Sequence, residues 1–287
     1  MATTIAAAFQ KLKENIEITG LQKSTASTRQ QNVREAVERE MTVLDSFLTG
    51  SYARSTLISP LSEADVDIFM VLSSSYYQSF KPDALLDKVK SVLLKTYLTS
   101  PKISRNGQAV TITFTDFKVD VVPAFNRQGG GYLIPNSVTK GYISTNPKTH
   151  VELMAAENLW HGSDLVPLVK MVKAWNRNIG KAFVSFYLEL MVINVLKGIK
   201  ILDITSGMRF FFDKGREAIK YSIIDPVGYG GEINGFENVL NVGEAVTRFE
   251  TAYTRAVKAE GFASSGYTQL AVEEWRKIFG DYFPAYG

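Results

Sequence analysis

An apolar strand that carries two acidic residues constrains the fold of this chain more than any other segment. Residues 66–72 read Val-Asp-Ile-Phe-Met-Val-Leu, a run that suits a strand buried on at least one face. Asp65 and Asp67 are two residues apart, so an extended backbone places both carboxylates on the same face of that strand. Such like charges are tolerated if they are solvated or if a divalent cation neutralises them. The apolar continuation of the strand favours the cation.

A third acidic residue lies in a second apolar segment. The alternation over residues 117–124 predicts a strand in which Asp120 is on the opposite face from Val119 and Val121. Taken singly, Asp120 is explained as well by pairing with a basic neighbour such as Lys118. Three carboxylates on neighbouring strands of one small sheet are, however, the arrangement that two-metal phosphoryl transfer requires, with ions roughly 3.5 to 4 Å apart.

A Gly-Ser dipeptide precedes the first acidic strand. Gly50 and Ser51 follow a short apolar segment and come before a helix that is expected to begin near Ala53. Backbone amides and a hydroxyl at such a place can meet phosphate oxygens. Alone, the dipeptide is more often ordinary turn and cap chemistry.

Composition limits the cofactors and partners. The 287 residues have a formal net charge of +3, no cysteine and only two histidines, His150 and His161. Disulfides, thiol catalysis and a dedicated zinc site are therefore not expected, and any functional metal should be a hard cation held by oxygen. The small net charge does not suit a surface that coats nucleic acid or anionic membrane. With no run of 18 apolar residues and no signal peptide, we expect a cytoplasmic protein.

Periodicity predicts an α/β (α+β) chain that changes character near residue 146. The part from 1 to 146 is predicted to contain helices at 4–17, 29–47 (capped by Ser27 or Thr28) and 82–98, and strands at 66–72, 109–114 and 117–124. The part from 147 to 287 is predicted to contain helices at 147–160, 164–179, 184–197, 206–220, 238–260 and 267–280. Two glycine-rich stretches, 128–131 and 227–235, are predicted to be mobile loops.

Taken together, these motifs resemble the signature of the DNA polymerase beta-like nucleotidyltransferase superfamily. That signature is a Gly-Ser turn, a spacer, an Asp-hydrophobic-Asp pair and a distal Asp, matched here by residues 50–56, 65–68 and 119–123. Residues 170–176 and 185–189 are similar to the CD-NTases, the bacterial relatives of cyclic GMP-AMP synthase and oligoadenylate synthetase. The resemblance covers nearly the whole chain. It implies a core with a small mixed sheet, packed against a C-terminal oligoadenylate synthetase-like helical lobe, with the active site in the cleft between them.

The resemblance also implies a role for each matching residue of the first half. Gly50 and Ser51 would hold the donor triphosphate. Asp65 and Asp67 would bind both magnesium ions, for which Mn2+ could substitute. Asp120 would complete one metal site beside the acceptor hydroxyl and could help to deprotonate it.

Three residues of the second half have implied roles in nucleotide binding. Lys173 matches the family's triphosphate-contacting lysine, Ser185 its phosphate-contacting hydroxyl, and Phe186 the position whose ring can stack on a base. The alternatives are a solvated helix lysine for Lys173 and a core aromatic for Phe186.

The implied product is a cyclic di- or trinucleotide second messenger, made from ATP and other ribonucleoside triphosphates for anti-phage (CBASS) signalling. Its effector would respond to the product rather than bind the enzyme, and a monomer without membrane or nucleic-acid partners is expected. One alternative is an RNA-directed enzyme such as a CCA-adding or poly(A) enzyme, against which the length and low net charge count. Another is a non-catalytic nucleotide-binding module, against which the three intact aspartates count.

Overall fold

The computed structural model describes residues 2–98 and 101–287. In chain order, the helices are α1 (Ile5–Ile16), α2 (Gly20–Glu38), α3 (Gly50–Ala53), α4 (Ser74–Ser79), α5 (Pro82–Thr96), α6 (Pro147–Trp160), α7 (Leu165–Asn178), α8 (Ser185–Val195), α9 (Ile204–Ala218), α10 (Val242–Ser264) and α11 (Thr268–Phe279). The strands are β1 (Val43–Thr49), β2 (Asp65–Leu72), β3 (Lys102–Asn106), β4 (Ala109–Thr113), β5 (Lys118–Asn126), β6 (Tyr132–Asn136), β7 (Gly141–Thr145), β8 (Ile223–Ile224) and β9 (Glu232–Ile233). Within the described residues, no helix is long and apolar enough to cross a bilayer.

The chain forms two compact units. One, the sheet unit, comprises Ile18–Leu153 and Pro226–Gly230. The other, the helical unit, comprises the N-terminal segment ending at Glu17, Met154–Asp225 and Gly231–Gly287.

A mixed sheet forms the centre of the sheet unit. Its strand order is β1-β2-β5-β4-β3, and β6 and β7 extend it from β5. The β2–β5 pair is parallel, whereas the other neighbours are antiparallel. The fold class predicted from the sequence, an α/β chain with a small mixed sheet, is therefore confirmed.

Different sets of apolar residues pack on the two faces of the sheet. On one face, the even-numbered side chains of β2 join the main core with apolar residues of α2 and α5. On the other face, Phe69, Val71 and Ala124 form a smaller cluster. Because strand residues alternate between faces, Asp65 and Asp67 share this second face with Phe69 and Val71. The acidic residues thus lie on the face that the main core does not use.

Aromatic residues dominate the core of the helical unit. The ring of Trp175 is stacked on Phe183 at a centroid distance of 5.7 Å and makes an edge contact with Phe249 at 4.8 Å. Gly215 of α9 allows this packing, because a Cβ atom there would lie 2.3 Å from the Phe249 ring. All six helices predicted for the second half are present, each within four residues of its predicted ends.

The helix predicted over residues 29–47 is wrong in both its start and its end. Helix α2 begins at Gly20, where Thr19 and Gln22 form a reciprocal capping box, and it ends at Glu38. Residues 43–49 instead form β1, which pairs with β2 along its length. Pairing with a buried strand overrides the local helical pattern. Strands β3, β6, β7, β8 and β9 were not predicted from the sequence, and β9 lies within the stretch 227–235 that was predicted to be a loop.

The predicted division at residue 146 also differs from the structure. The boundary falls inside α6, and α1 belongs to the helical unit rather than to the sheet unit. Packing explains the placement of α1, because the Phe9 ring makes edge contacts with Trp275, Phe279 and Phe283.

Candidate active site

The three predicted acidic residues lie on two adjacent strands. In the parallel β2–β5 pair, Asp67 lies directly opposite Asp120 and Asp65 lies opposite Lys118. Asp65 is exposed, whereas Asp67 and Asp120 are half-buried. The register therefore brings together the two segments that the sequence singled out, 53 residues apart along the chain.

Gly50 fits closely against Asp67. Helix α3 begins at Gly50 itself, three residues earlier than predicted, and Thr49 pairs with Asp67 across β1 and β2. Gly50 has a φ of +63°, and a Cβ atom at this position would lie 1.7 Å from Asp67 Oδ2. The turn and the carboxylate can occupy these positions together only if residue 50 has no side chain.

The backbone after Gly50 is held by hydrogen bonds. The carbonyl oxygen of Ser51 accepts bonds from the N–H groups of Thr56, at 2.9 Å, and Leu57, at 3.1 Å. This turn fixes the direction of Ser51 relative to the acidic strand, in the place where the sequence predicts phosphate binding.

Asp120 is the most electrostatically constrained of the three acids. Its Oδ1 atom is buried and has no hydrogen-bond partner among the described residues. Burial raises the pKa of the Asp120 carboxyl, and the negative charge of Asp65 raises it further. The Thr111 hydroxyl and Lys118 offset part of this rise. A buried carboxylate oxygen without a donor, beside further carboxylates, suits a cation.

The chemistry of the donor set fits a hard divalent cation. Asp65, Asp67 and Asp120 offer only carboxylate oxygens, the ligands that Mg2+ prefers. Within residues 2–98 and 101–287, however, no three acidic or histidine side chains are grouped closely enough to bind one ion together. Metal binding by these aspartates therefore stays a prediction.

Lys173 lies in the helical unit and is buried. Its Nζ atom lies 2.7 Å from Oε1 of Glu189, whose side chain is 1% exposed. The alternative interpretation of Lys173 as a solvated helix residue is therefore wrong. The ion pair joins α7 to α8, so loss of either partner would remove a buried charge–charge contact between these two helices. Contact with a triphosphate stays a prediction.

Ser185 and Phe186 occupy the first turn of α8, in the helical unit. Ser185 is exposed and Phe186 is half-buried, so Phe186 is not one of the fully buried core aromatics of this unit. Their roles in phosphate contact and base stacking stay predictions.

Two threonines on the acidic face were not identified from the sequence. Thr49 is buried opposite Asp67, and Thr111 is buried opposite Asp120. Alternation shows that Thr111 and Thr113 share a face of β4, but only the strand register shows that this face carries the acids.

The raised pKa of Asp120 predicts a measurable dependence of stability on pH. Because the folded-state pKa exceeds the unfolded-state value, Asp120 stabilises the fold at acidic pH and loses that contribution as pH rises through the raised pKa. Without metal, acidification from neutral pH should therefore raise the melting temperature of the wild type relative to that of an Asp120→Asn variant. Thermal melting of both proteins in chelator across a pH series measures this. Melting temperatures that change with pH in parallel for the two proteins would contradict the raised pKa of Asp120.

The mixed sheet and its acidic face are the features expected of a polymerase beta-like nucleotidyltransferase. Residues 3–158, more than half of the chain, match the family model described as the Second Messenger Oligonucleotide or Dinucleotide Synthetase domain (SMODS). The chain belongs to this family. It is thus a nucleotidyltransferase of the class that makes oligonucleotide second messengers.

Individual relatives agree with the family assignment. A cyclic AMP-AMP-AMP synthase from Acinetobacter sp. is 26% identical over 296 residues, covering 96% of this chain and 84% of the relative. A protein from Bacillus cereus, named as a probable cyclic nucleotide synthase, is 24% identical over 272 residues, covering 83% of this chain and 81% of the relative. In fold, the chain is similar to Escherichia coli MS115-1 CdnC solved with ATP, at a TM-score of 0.75, 17% identity and 99% coverage of both chains.

Proposed function

We propose that this chain is a Mg2+-dependent synthase that joins ribonucleoside triphosphates into a cyclic di- or trinucleotide and releases pyrophosphate. The observation that carries the proposal is the register that sets Asp67 beside Asp120, with Gly50 packed against the Asp67 carboxylate. Mn2+ is expected to replace Mg2+, because both accept carboxylate oxygens.

In the proposed reaction, a ribose 2′- or 3′-hydroxyl attacks the α-phosphorus of a nucleoside triphosphate. The bond from that phosphorus to the bridging oxygen breaks, pyrophosphate leaves, and the hydroxyl loses its proton. Asp65, Asp67 and Asp120 would hold the cations, which stabilise the charge on the attacking and leaving oxygens. The unpartnered Oδ1 of Asp120 and the raised pKa of this carboxyl suit acceptance of the hydroxyl proton.

The turn after β1 would orient the triphosphate. Gly50 lies against Asp67, and the hydrogen bonds to the Ser51 carbonyl keep that turn in place. The Ser51 hydroxyl and the backbone amides of the turn would contact the phosphates. After one or two such transfers between nucleotides, a final intramolecular transfer, which also releases pyrophosphate, would close the ring.

ATP is the substrate that the comparisons favour. One relative is named as a cyclic AMP-AMP-AMP synthase, and CdnC, which is similar in fold, was solved with ATP. We place the enzyme in the cytoplasm, as a monomer whose product acts on a separate effector in anti-phage (CBASS) signalling.

Mass spectrometry of the products tests this function. Purified protein incubated with all four ribonucleoside triphosphates and Mg2+ should give pyrophosphate and a cyclic di- or trinucleotide, and chelator should prevent both. RNA should be unnecessary. Nucleotide addition only to an added RNA would favour the RNA-directed alternative, and nucleotide binding without any product would favour the non-catalytic module.

A further inference from the structure

The sheet face that carries the acids continues beyond them into an aromatic region. Along β1 and β2, Phe47 lies opposite Phe69, one row beyond the pair of Thr49 and Asp67. Two residues of a strand span about 7 Å, so the aromatic row lies that far from the acidic row. The Phe47 and Phe69 rings are stacked at a centroid distance of 5.1 Å, and Tyr132 of β6 meets Phe69 edge-on at 5.1 Å.

A lysine and an aspartate form the polar edge of this aromatic region. The Nζ atom of Lys148 lies 4.3 Å from the centroid of the Phe47 ring and 5.9 Å from that of Tyr132. The same atom donates a hydrogen bond of 3.0 Å to Oδ2 of Asp45. About half of each polar side chain is exposed, at 47% for Lys148 and 51% for Asp45.

An exposed ion pair of this kind contributes little to stability, so stability alone does not explain the arrangement. Its position on the acidic face offers a better explanation. Gly50 and Ser51 follow β1 on the side of the acids away from the aromatic row. A nucleotide bound with its terminal phosphates at this turn and its α-phosphate at Asp67 would extend its sugar and base toward Phe47 and Lys148.

We propose that Asp45 and Lys148 recognise the adenine base of a bound ribonucleoside triphosphate. The proposal rests on the function proposed above and assigns one base-binding position to the sheet unit. Lys148 covers one face of Phe47, so the base meets the polar edge rather than stacking on that ring.

The side-by-side acceptor and donor match the edge of adenine that carries N6 and N7. Adenine presents an amino donor next to the N7 acceptor, and these can pair with the Asp45 carboxylate and the Lys148 ammonium, respectively. Guanine in the same orientation presents two acceptors, N7 and O6, so the carboxylate would face an acceptor. Guanine can match the pair only through O6 and N1–H, with its Watson–Crick edge turned toward Asp45 and Lys148. Hydrogen bonding to Asp45 and then to Tyr132 raises the pKa of Lys148, which keeps its ammonium charged.

A Lys148→Gln variant tests the proposal, with Lys95→Gln as its matched control. Lys95 also forms an exposed ion pair, with Glu40, but it belongs to α5, which packs on the opposite face of the sheet. Isothermal titration with non-hydrolysable ATP and GTP analogues in Mg2+ measures binding by the two variants and the wild type. Steady-state kinetics then separates KM from kcat.

Lys148→Gln should weaken binding of the ATP analogue and raise the KM for ATP by about tenfold, the effect of losing a charged hydrogen bond. The kcat at saturating ATP and the affinity for the GTP analogue should change by less than about twofold. Lys95→Gln should change none of these values. Asp45→Asn should reduce the preference for the ATP analogue, because an amide can donate to guanine O6.

The outcomes separate this inference from the proposed function. Equal ATP-analogue binding by the two lysine variants, or equal losses for both analogues, would overturn adenine recognition even if the wild type makes a cyclic product. A wild type that binds the analogues but makes no product would refute the synthase function, while the binding comparison still decides the role of Lys148. A wild type that binds neither analogue would overturn both.

Discussion

Replacing Asp65 and Asp67 together by asparagine should reduce metal-dependent product formation by at least about a thousandfold, because the cations that stabilise the transferred phosphate lose two carboxylate ligands. The fold should survive. Asp65 is exposed and Asp67 is half-buried, and without an ion their charges repel each other and that of Asp120. The melting temperature of the double variant in chelator should therefore equal or exceed that of the wild type.

A second pair of carboxylates provides the control. Asp83 and Asp87 both form ion pairs with Arg105 at 2.9 Å in the same unit, on helix α5 and away from the acidic face. Asp83→Asn combined with Asp87→Asn also removes two negative charges, but away from the acidic face. This variant should keep turnover close to that of the wild type. Pyrophosphate release and mass spectrometry measure both double variants. Turnover retained by the Asp65 and Asp67 double variant would refute the metal assignment.

The placement of the candidate site residues was predictable from the sequence wherever local spacing determines geometry. The spacing of Asp65 and Asp67, within an apolar run, placed both carboxylates on one face of a strand, and β2 spans that segment. The alternation of apolar residues around Asp120 likewise predicted a strand there, and β5 spans that segment. Helices α7, α9, α10 and α11 were predictable because their apolar residues recur at helical spacing. Helix α6 was predictable because Pro147 follows Asn146 at its start.

Features that depend on distant parts of the chain were not predictable in this way. Strand β1 follows a helical pattern closely in sequence, and only its pairing with β2 makes it a strand. Strand β3 has one apolar residue, Ile103, which gives no usable alternation. The register that sets Asp67 opposite Asp120, and Thr111 opposite Asp120, depends on how three strands align.

Lys173 shows that a charged residue on a helix is not always exposed to solvent. A lysine on a helix is ordinarily solvated, but α7 is buried from Leu168 to Asn176, so the side chain is buried and needs a partner. Glu189, four residues after Ser185 on α8, supplies that partner. The sequence holds both residues, but only the packing of α7 against α8 pairs them.

Gly50→Ala should reduce turnover by about a hundredfold, the cost typical of misplacing a catalytic group by about 1 Å. The new Cβ would lie 1.7 Å from Asp67 Oδ2, and the nearest clashing atoms belong to the end of a side chain rather than to the backbone. The Asp67 carboxylate can therefore rotate away, which relieves the clash but removes the carboxylate from its place beside Asp120.

Gly107→Ala separates this effect from backbone strain. Gly107 has a similar φ of +59°, and a Cβ atom there would contact nothing within 4 Å. Both alanine variants should lose about 1 to 2 kcal/mol of unfolding free energy from the left-handed conformation. Only Gly50→Ala should lose turnover and show weaker metal binding, as measured by product formation and by Mn2+ titration. Equal turnover in the two variants would show that the contact between Gly50 and Asp67 does not position the carboxylate for catalysis.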